Sequence, residues 1–258
     1  MKPDLDIVIP VYNEGRNILA TIGALRTNVK TPFRVLICYD MPDDDTVSTI
    51  RTHPQECDGV RIEFVRNAGR GPHRAVLTGF AASTAPYVVV LPADDDYNAV
   101  ALDKMVATAK SGCEIVCASR FMPGGSGLLG CPKHKAALVQ LANFTLHHVA
   151  RLPTHDATNG FRLFTRRVIE GIAVESERGF CYSIELLVKC HRLGWRIAEV
   201  PVHWFERAHG QSRFRLIGWL PAYLRWYFYA FATTYLRRSA NTVRMKQDAS
   251  ADPSMVRP

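Results

Sequence analysis

Three consecutive aspartates, Asp94, Asp95 and Asp96, follow the apolar run Tyr87–Val90 in the stretch "YVVVLPADDDYN". Carboxylates two residues apart in an extended turn can face one cation. Hard divalent ions such as Mg²⁺ or Mn²⁺ take carboxylate oxygens together with substrate phosphates. On that reading Asp94 and Asp96 are metal ligands, and Asp95 points away or caps the next helix. The alternative is a capping cluster, because acidic side chains favour helix N-termini.

Other polar residues recur at the ends of apolar runs. "IPVYNE" (Ile9–Glu14) puts Pro10, Tyr12 and Glu14 after the first run, and Asp40 closes the second. "NAGRGPHRAVLTGF" (Asn67–Phe80) places Gly69 and Arg70 just before a helical pattern, where a phosphate or sugar can approach the backbone. A plain turn would explain those glycines equally well. Arg120 ends another apolar run.

The elements that must position these residues alternate. Strand-like runs occur at 5–11, 33–40, 60–66, 86–92 and 114–120, and helical spacing occurs at 17–26, 44–51, 71–83 and 99–110. Such β-α-β-α order implies a doubly wound, mostly parallel sheet with helices on both faces. Ligands of such sheets bind beyond the carboxyl ends of the strands, so Asp40, Asp94–Asp96 and Arg120 should meet at one edge. The second half is less regular. It offers a mobile glycine-rich loop (124–130), a long helix (133–152), a short strand in "GFRLFTRR", a helix (182–194) and a strand (195–206).

The chain has 258 residues, 47% hydrophobic and 22% charged, enough for one sizeable α/β domain with an appendage. A net charge of +8 fits a phosphate-bearing partner, or simply a basic surface. Nucleic acid is disfavoured, since no basic run interleaved with aromatics marks a reading surface. The seven cysteines have irregular spacing without metal-site pattern, which implies a reducing, cytoplasmic setting and no disulfide framework. "MKPDLDIVIPVYNE" does not read as a signal peptide. "LIGWLPAYLRWYFYAFATTYL" (216–236) is aromatic and flanked by arginines, with Pro221 and Arg225 inside it. It reads as an amphipathic helix lying in a membrane interface, or packed on the domain or between copies of the chain; a true span is disfavoured. The expected division is a catalytic domain over 1–215, this helix over 216–238 and a disordered tail over 239–258.

Taken in order, "IPVYNE", "YDMPDDDT", "NAGRGPHRAVLTGF", the acidic loop, "ASRF", "DATNGFRLF" and "EVPVHWFERAHGQSRF" resemble the family 2 glycosyltransferases of GT-A fold. Within that family the series looks closest to the dolichol-phosphate mannosyltransferase-like branch, over roughly Leu5 to Phe214. The resemblance implies that Pro10, Tyr12, Glu14 and Asp40 bind the nucleoside, and that the acidic loop binds metal and diphosphate. It implies that Arg120, and Arg207, Gly210, Ser212 and Arg213 of an "R-x-x-G-x-S" segment, approach the transferred sugar or acceptor phosphate. Asp156 and Arg162 fall on the acceptor side. Two motifs depart from the family pattern: Pro92 stands where the first Asp of D-A-D is usual, and "YDMP" replaces "DDGS".

The implied activity is metal-dependent, inverting transfer of a sugar from a nucleoside diphosphate sugar to a polyprenyl phosphate at the cytoplasmic face of a membrane. A polyprenyl phosphate is already an anion and needs no base. A saccharide or lipid hydroxyl, the alternative acceptor, needs one. Asp156 and Glu185 are the candidates, against readings as a helix cap and a helix-surface charge. A non-catalytic nucleotide-sugar-binding scaffold is the third reading.

Overall fold

In the first half the β-branched runs form strands and the helical patterns form helices close to their expected bounds; in the second half the strand expected over 195–206 narrows to Ile197–Pro201 among the described residues. The first half runs β1 (Leu5–Val11), α1 (Gly15–Asn28), β2 (Phe33–Tyr39), α2 (Asp45–Thr52), β3 (Ile62–Arg66), α3 (Pro72–Ala82), β4 (Tyr87–Val90), α4 (Leu102–Lys110) and β5 (Ile115–Ser119). The second half adds α5 (Lys133–Phe144), β6 (Arg162–Thr165), α6 (Arg166–Gly171), α7 (Cys181–Arg192), β7 (Ile197–Pro201) and α8 (Leu216–Tyr235). This computed structural model describes residues 2–67, 69–128, 130–204, 216–236 and 239–246. Arg207, Gly210, Ser212 and Arg213, and residues 247–258 of the expected tail, lie outside the described residues.

The seven strands form one sheet in the order β3-β2-β1-β4-β6-β5-β7. All neighbours are parallel except at β6, which runs antiparallel to both β4 and β5. β6 therefore reverses direction between two parallel sets, and the carboxyl ends of β1, β2, β4, β5 and β7 share one edge.

Alternation along the strands feeds two cores. Ile7, Ile9, Val35, Val89 and Val116 face one side, under Ile18 and Ile22 of α1 and Leu102 and Met105 of α4. Val8, Leu36, Val88, Ile115 and Phe164 face the other, under Val76 and Phe80 of α3, Leu187 of α7 and Trp226 of α8. Both faces of the sheet are thus sealed by helices, as a mostly parallel sheet requires. All seven cysteines are free, and six are buried.

Three features differ from the sequence expectation. The long helix stops at Phe144 and continues as a π-helical turn, Thr145–Val149, before Arg151 adopts φ 57°. The glycine-rich loop is tied down: Gly127 N–H donates to the Arg120 carbonyl at 2.8 Å and Trp204 N–H to Ser126 Oγ at 2.6 Å. Residues 239–246, expected within the disordered tail, pack back on the domain. Val243 is buried, Met245 bridges to Ile172, and Ala173 N–H donates to the Arg244 carbonyl at 3.0 Å.

Helix α8 packs on α7 through Trp226 and Ala230, both buried. Arg192 of α7 clamps it, donating to the Tyr229 carbonyl and to Thr233 Oγ1, each at 2.9 Å. Leu220, Leu224 and Phe228, one turn apart, remain exposed on its other side. Among the described residues no helix is long and apolar enough to cross a membrane.

Candidate active site

A cleft of about 580 Å³ opens at the shared strand edge. Its walls mix two chemistries. Tyr12, Glu14, Asp40, Arg70 and Asp94 bring polar groups, while Phe161, Phe180, Tyr182, Ile184 and Tyr223 bring aromatic and aliphatic ones. Pro10, Pro92, Thr158, Asn159 and Arg162 also line it.

Asp40 is held at the end of β2 by two short hydrogen bonds. Asn67 Nδ2 donates to its Oδ1, and Gly71 N–H to its Oδ2, each at 2.7 Å. Gly71 adopts φ 86°, a conformation that favours glycine, and so lets the chain turn into α3 with its N–H facing Asp40. Gly69 N–H is turned onto Asn67 Oδ1 at 3.0 Å, and Arg70 is exposed at the cleft wall. The loop carrying Tyr12 and Glu14 is braced from α2: Asn13 N–H donates to Asp44 Oδ2 at 3.1 Å and Glu14 N–H to Thr46 Oγ1 at 3.0 Å.

The three aspartates separate in role. Asp95 braces the 3₁₀ turn that opens at Asn98, accepting from the Asn98 N–H at 3.0 Å and from its Nδ2 at 2.9 Å, while Tyr97 holds the cap position. Burial pushes the Asp95 carboxyl up to about 6, against the pull of its Asn98 hydrogen bonds. Asn98 also exchanges a reciprocal pair with the His203 backbone, at 2.9 and 3.0 Å. The acidic loop is thereby stapled to the chain leaving β7. Asp94 lines the cleft and Asp96 is half-buried beside it.

Arg120 leaves β5 and meets Asp156 in a two-pronged ion pair. Its Nε and Nη2 donate to Asp156 Oδ2 and Oδ1 at 2.6 and 2.9 Å. Thr158, a cleft residue, takes a further Arg120 Nη2 bond at 3.3 Å. The guanidinium lies near the rings of Phe121 and Trp204, 5.5 and 5.7 Å from their centroids. Asp156 is fully buried and also receives the backbone N–H groups of Arg120 and Asn159. Arg162 is fully buried too; it spans from Ser183 Oγ, 2.7 Å away, to the carbonyls of Asp156 and Ala157.

Glu185, read from the sequence as a candidate base, sits elsewhere. It is fully buried within α7, accepting from Lys189 Nζ at 2.7 Å and from the N–H groups of Glu175 and Ser176 at 2.6 and 2.8 Å. It anchors the loop ahead of α7. Spacing along α7 did not reveal this, because every residue from Cys181 to Cys190 is buried and the helix has no wet face there.

Sequence reasoning missed Thr158, Phe180, Tyr182, Ser183 and Tyr223 as cleft residues. Tyr182 and Tyr223 come from different helices, and no spacing relates them. Thr158 lies inside the "DATNGFRLF" stretch, and its bonds to Arg120, Asn143 and Asp156 mark it out.

Solved structures share this architecture. Glucosyl-3-phosphoglycerate synthase from Mycobacterium tuberculosis in complex with uridine diphosphate superposes with a TM-score of 0.64 at 17% identity, over 89% of this chain and 80% of that one. A complex of the same enzyme with Mn²⁺, uridine diphosphate and glucosyl-3-phosphoglycerate gives 0.57 at 20% identity, over 90% and 79%. The fold is that of the GT-A glycosyltransferases. Residues 6–172 match the model of glycosyl transferase family 2, and the chain belongs to that family. Polyprenol monophosphomannose synthase of Mycolicibacterium smegmatis is 27% identical over 214 residues, covering 80% of this chain and 79% of that protein. An uncharacterized glycosyltransferase of Mycobacterium tuberculosis is 28% identical over 207 residues, covering 80% and 88%.

Proposed function

We propose that the protein transfers a sugar, with inversion, from a nucleoside diphosphate sugar to a polyprenyl phosphate, working peripherally at the cytoplasmic face of a membrane. The state of the two candidate bases carries this reading. Asp156 is committed to Arg120, and Glu185 is sealed inside α7. A hydroxyl acceptor needs a carboxylate free to take its proton, whereas a phosphate monoester attacks as an anion. The name of the mycobacterial mannose synthase relative points the same way.

The residues suit a hard divalent ion. Among the described residues no three His, Cys, Asp or Glu side chains group as a metal site. An ion completed by substrate phosphates needs only one or two carboxylates, and Asp94 and Asp96 supply them. Pro92 offers no side-chain oxygen, so it adds no ligand. Bound there, Mg²⁺ or Mn²⁺ would offset the charge growing on the leaving diphosphate. Pro10, Tyr12, Glu14 and Asp40 would receive the nucleoside, with Gly69 and Arg70 at its phosphate side. Arg120 would hold the acceptor phosphate or the sugar beside Thr158, with Arg162 supporting the loop behind. Arg207, Ser212 and Arg213 would add to that phosphate contact. An acceptor oxygen bonds to the anomeric carbon as the bond to the diphosphate oxygen breaks, and no proton need move.

The apolar wall suits the lipid. Phe180 and Tyr223, both partly exposed, offer a surface for the first isoprene units, backed by the buried Tyr182 and Ile184, and Tyr223 belongs to α8. The test is a panel of nucleotide sugars assayed for Mn²⁺-dependent turnover with and without polyprenyl phosphate. Product should form only when lipid phosphate is present. Transfer to saccharide hydroxyls alone would overturn the acceptor assignment.

A further inference from the structure

The aim of Arg120 depends on groups outside the cleft. Its partner Asp156 belongs to the loop between the π-helical turn and β6, and that loop is fastened to the sheet through Glu199 of β7. Glu199 Oε2 accepts from the His155 N–H at 2.8 Å and from the Thr154 hydroxyl at 3.1 Å, and its Oε1 meets His155 Nδ1. The Thr154 oxygen in turn accepts from the Asp156 N–H at 3.1 Å. The path Glu199–Thr154–Asp156–Arg120 is therefore continuous, each hydroxyl and amide in its ordinary role. It is also dry: Thr154 and Asp156 are buried, and the Glu199 side chain is 13% exposed. The His147 ring stacks on His155 with centroids 3.9 Å apart and covers part of the outer side, where the His155 side chain stays 38% exposed. Both ends sit on one rigid strand pair, since Glu199 lies opposite Cys117 in the β5–β7 register and Arg120 follows three residues later.

We infer that Glu199 is a positioning residue for sugar transfer. It touches no substrate. Its carboxylate, taking charge-assisted hydrogen bonds from the 154–155 segment, fixes Asp156 and so the guanidinium of Arg120. Small displacements of a catalytic group are costly in rate, which gives this distant carboxylate its leverage. The inference rests on the reading of Arg120 given under Proposed function.

Glu199→Gln and Thr154→Val should each lower kcat for transfer to polyprenyl phosphate by about tenfold to a hundredfold. Binding of UDP and GDP with Mn²⁺, measured by calorimetry, should stay within about twofold, because the nucleoside wall is untouched. Thr154→Ser keeps the hydroxyl and should restore transfer. The double variant should be no worse than the poorer single one, since both break one path. Wild-type kcat in Glu199→Gln, or nucleotide affinity and turnover falling together, would overturn the proposal. Arg120→Lys separates the two failures. If it transfers normally, the reading of Arg120 falls and this inference with it. If it is impaired while Glu199→Gln is not, only the inference on Glu199 falls. Should Glu199→Gln not fold, the Thr154 pair carries the same test.

Discussion

At the scale of single residues, burial decides what each carboxylate is free to do. Asp95 lies between two expected ion ligands yet spends both oxygens on Asn98. Asp94→Asn and Asp96→Asn should each reduce Mn²⁺-dependent turnover by about a hundredfold or more, read as initial rates at saturating donor. Unchanged turnover in both would take the ion site away from these aspartates, whereas a scaffold would show no turnover in the wild-type protein and a cellular role that survives both changes. Glu185→Gln makes a contrasting case. It leaves the fully buried Lys189 with Glu175 as its remaining carboxylate and weakens the hold on the Glu175 and Ser176 N–H groups, so it should cost about 1–3 kcal/mol of stability in urea unfolding. The folded fraction should keep its turnover; a pH–rate profile that lost its basic group would instead revive Glu185 as a base. The aspartate triplet was legible because its spacing is local. The engagement of Asp156 was not, because Arg120 lies 36 residues away in the chain.

Among the elements, the parallel strands and their helices were readable from period and punctuation; β6 was readable as a short strand, but its direction was not. Four residues, Arg162–Thr165, carry no mark of direction. The antiparallel setting follows from where the preceding loop leaves the chain. The π-helical turn was equally hidden, since "TLHHV" continues a helical pattern. The glycine-rich segment after β5 is a close-packed joint. A Cβ at Gly125 would stand 2.4 Å from the Arg120 carbonyl oxygen, so the backbone of Arg120 would have to shift. Gly125→Ala should therefore lose about 1–3 kcal/mol of stability and depress transfer, while Gly127→Ser, at an open position with φ 69°, should cost less. Chemical unfolding alongside turnover measures both. Equal losses at the two sites would argue against a close approach at Gly125.

For the whole molecule, the surface and the pH response follow from placement. The exposed stripe of Leu220, Leu224 and Phe228 on α8 joins a chain of net charge +8. Replacing Leu224 and Phe228 by Glu should abolish co-sedimentation with anionic vesicles while leaving Tm nearly unchanged. Vesicle binding that survived would move the contact elsewhere. His73 lies buried in α3 against Tyr182, and burial holds its imidazole below the ordinary 6.5 despite the charge of Glu185. The unfolded chain takes up a proton below about pH 6.5 while the native state resists it, so this contribution to stability is lost as the pH falls through that range. His73→Gln should flatten the fall of Tm between about pH 6.5 and 5. The sheet's reversal carries one more consequence, for synthesis on the ribosome. Strands β1 to β4 are complete by Val90, yet the neighbour that covers the free side of β4 emerges only at Arg162–Thr165. For some seventy residues of translation the nascent chain holds a four-stranded half-sheet with an apolar open edge, the kind of edge that invites pairing with other chains. Ribosome-bound chains halted near Phe161 are thus where chaperone dependence should be greatest, and release should follow once β6 is out.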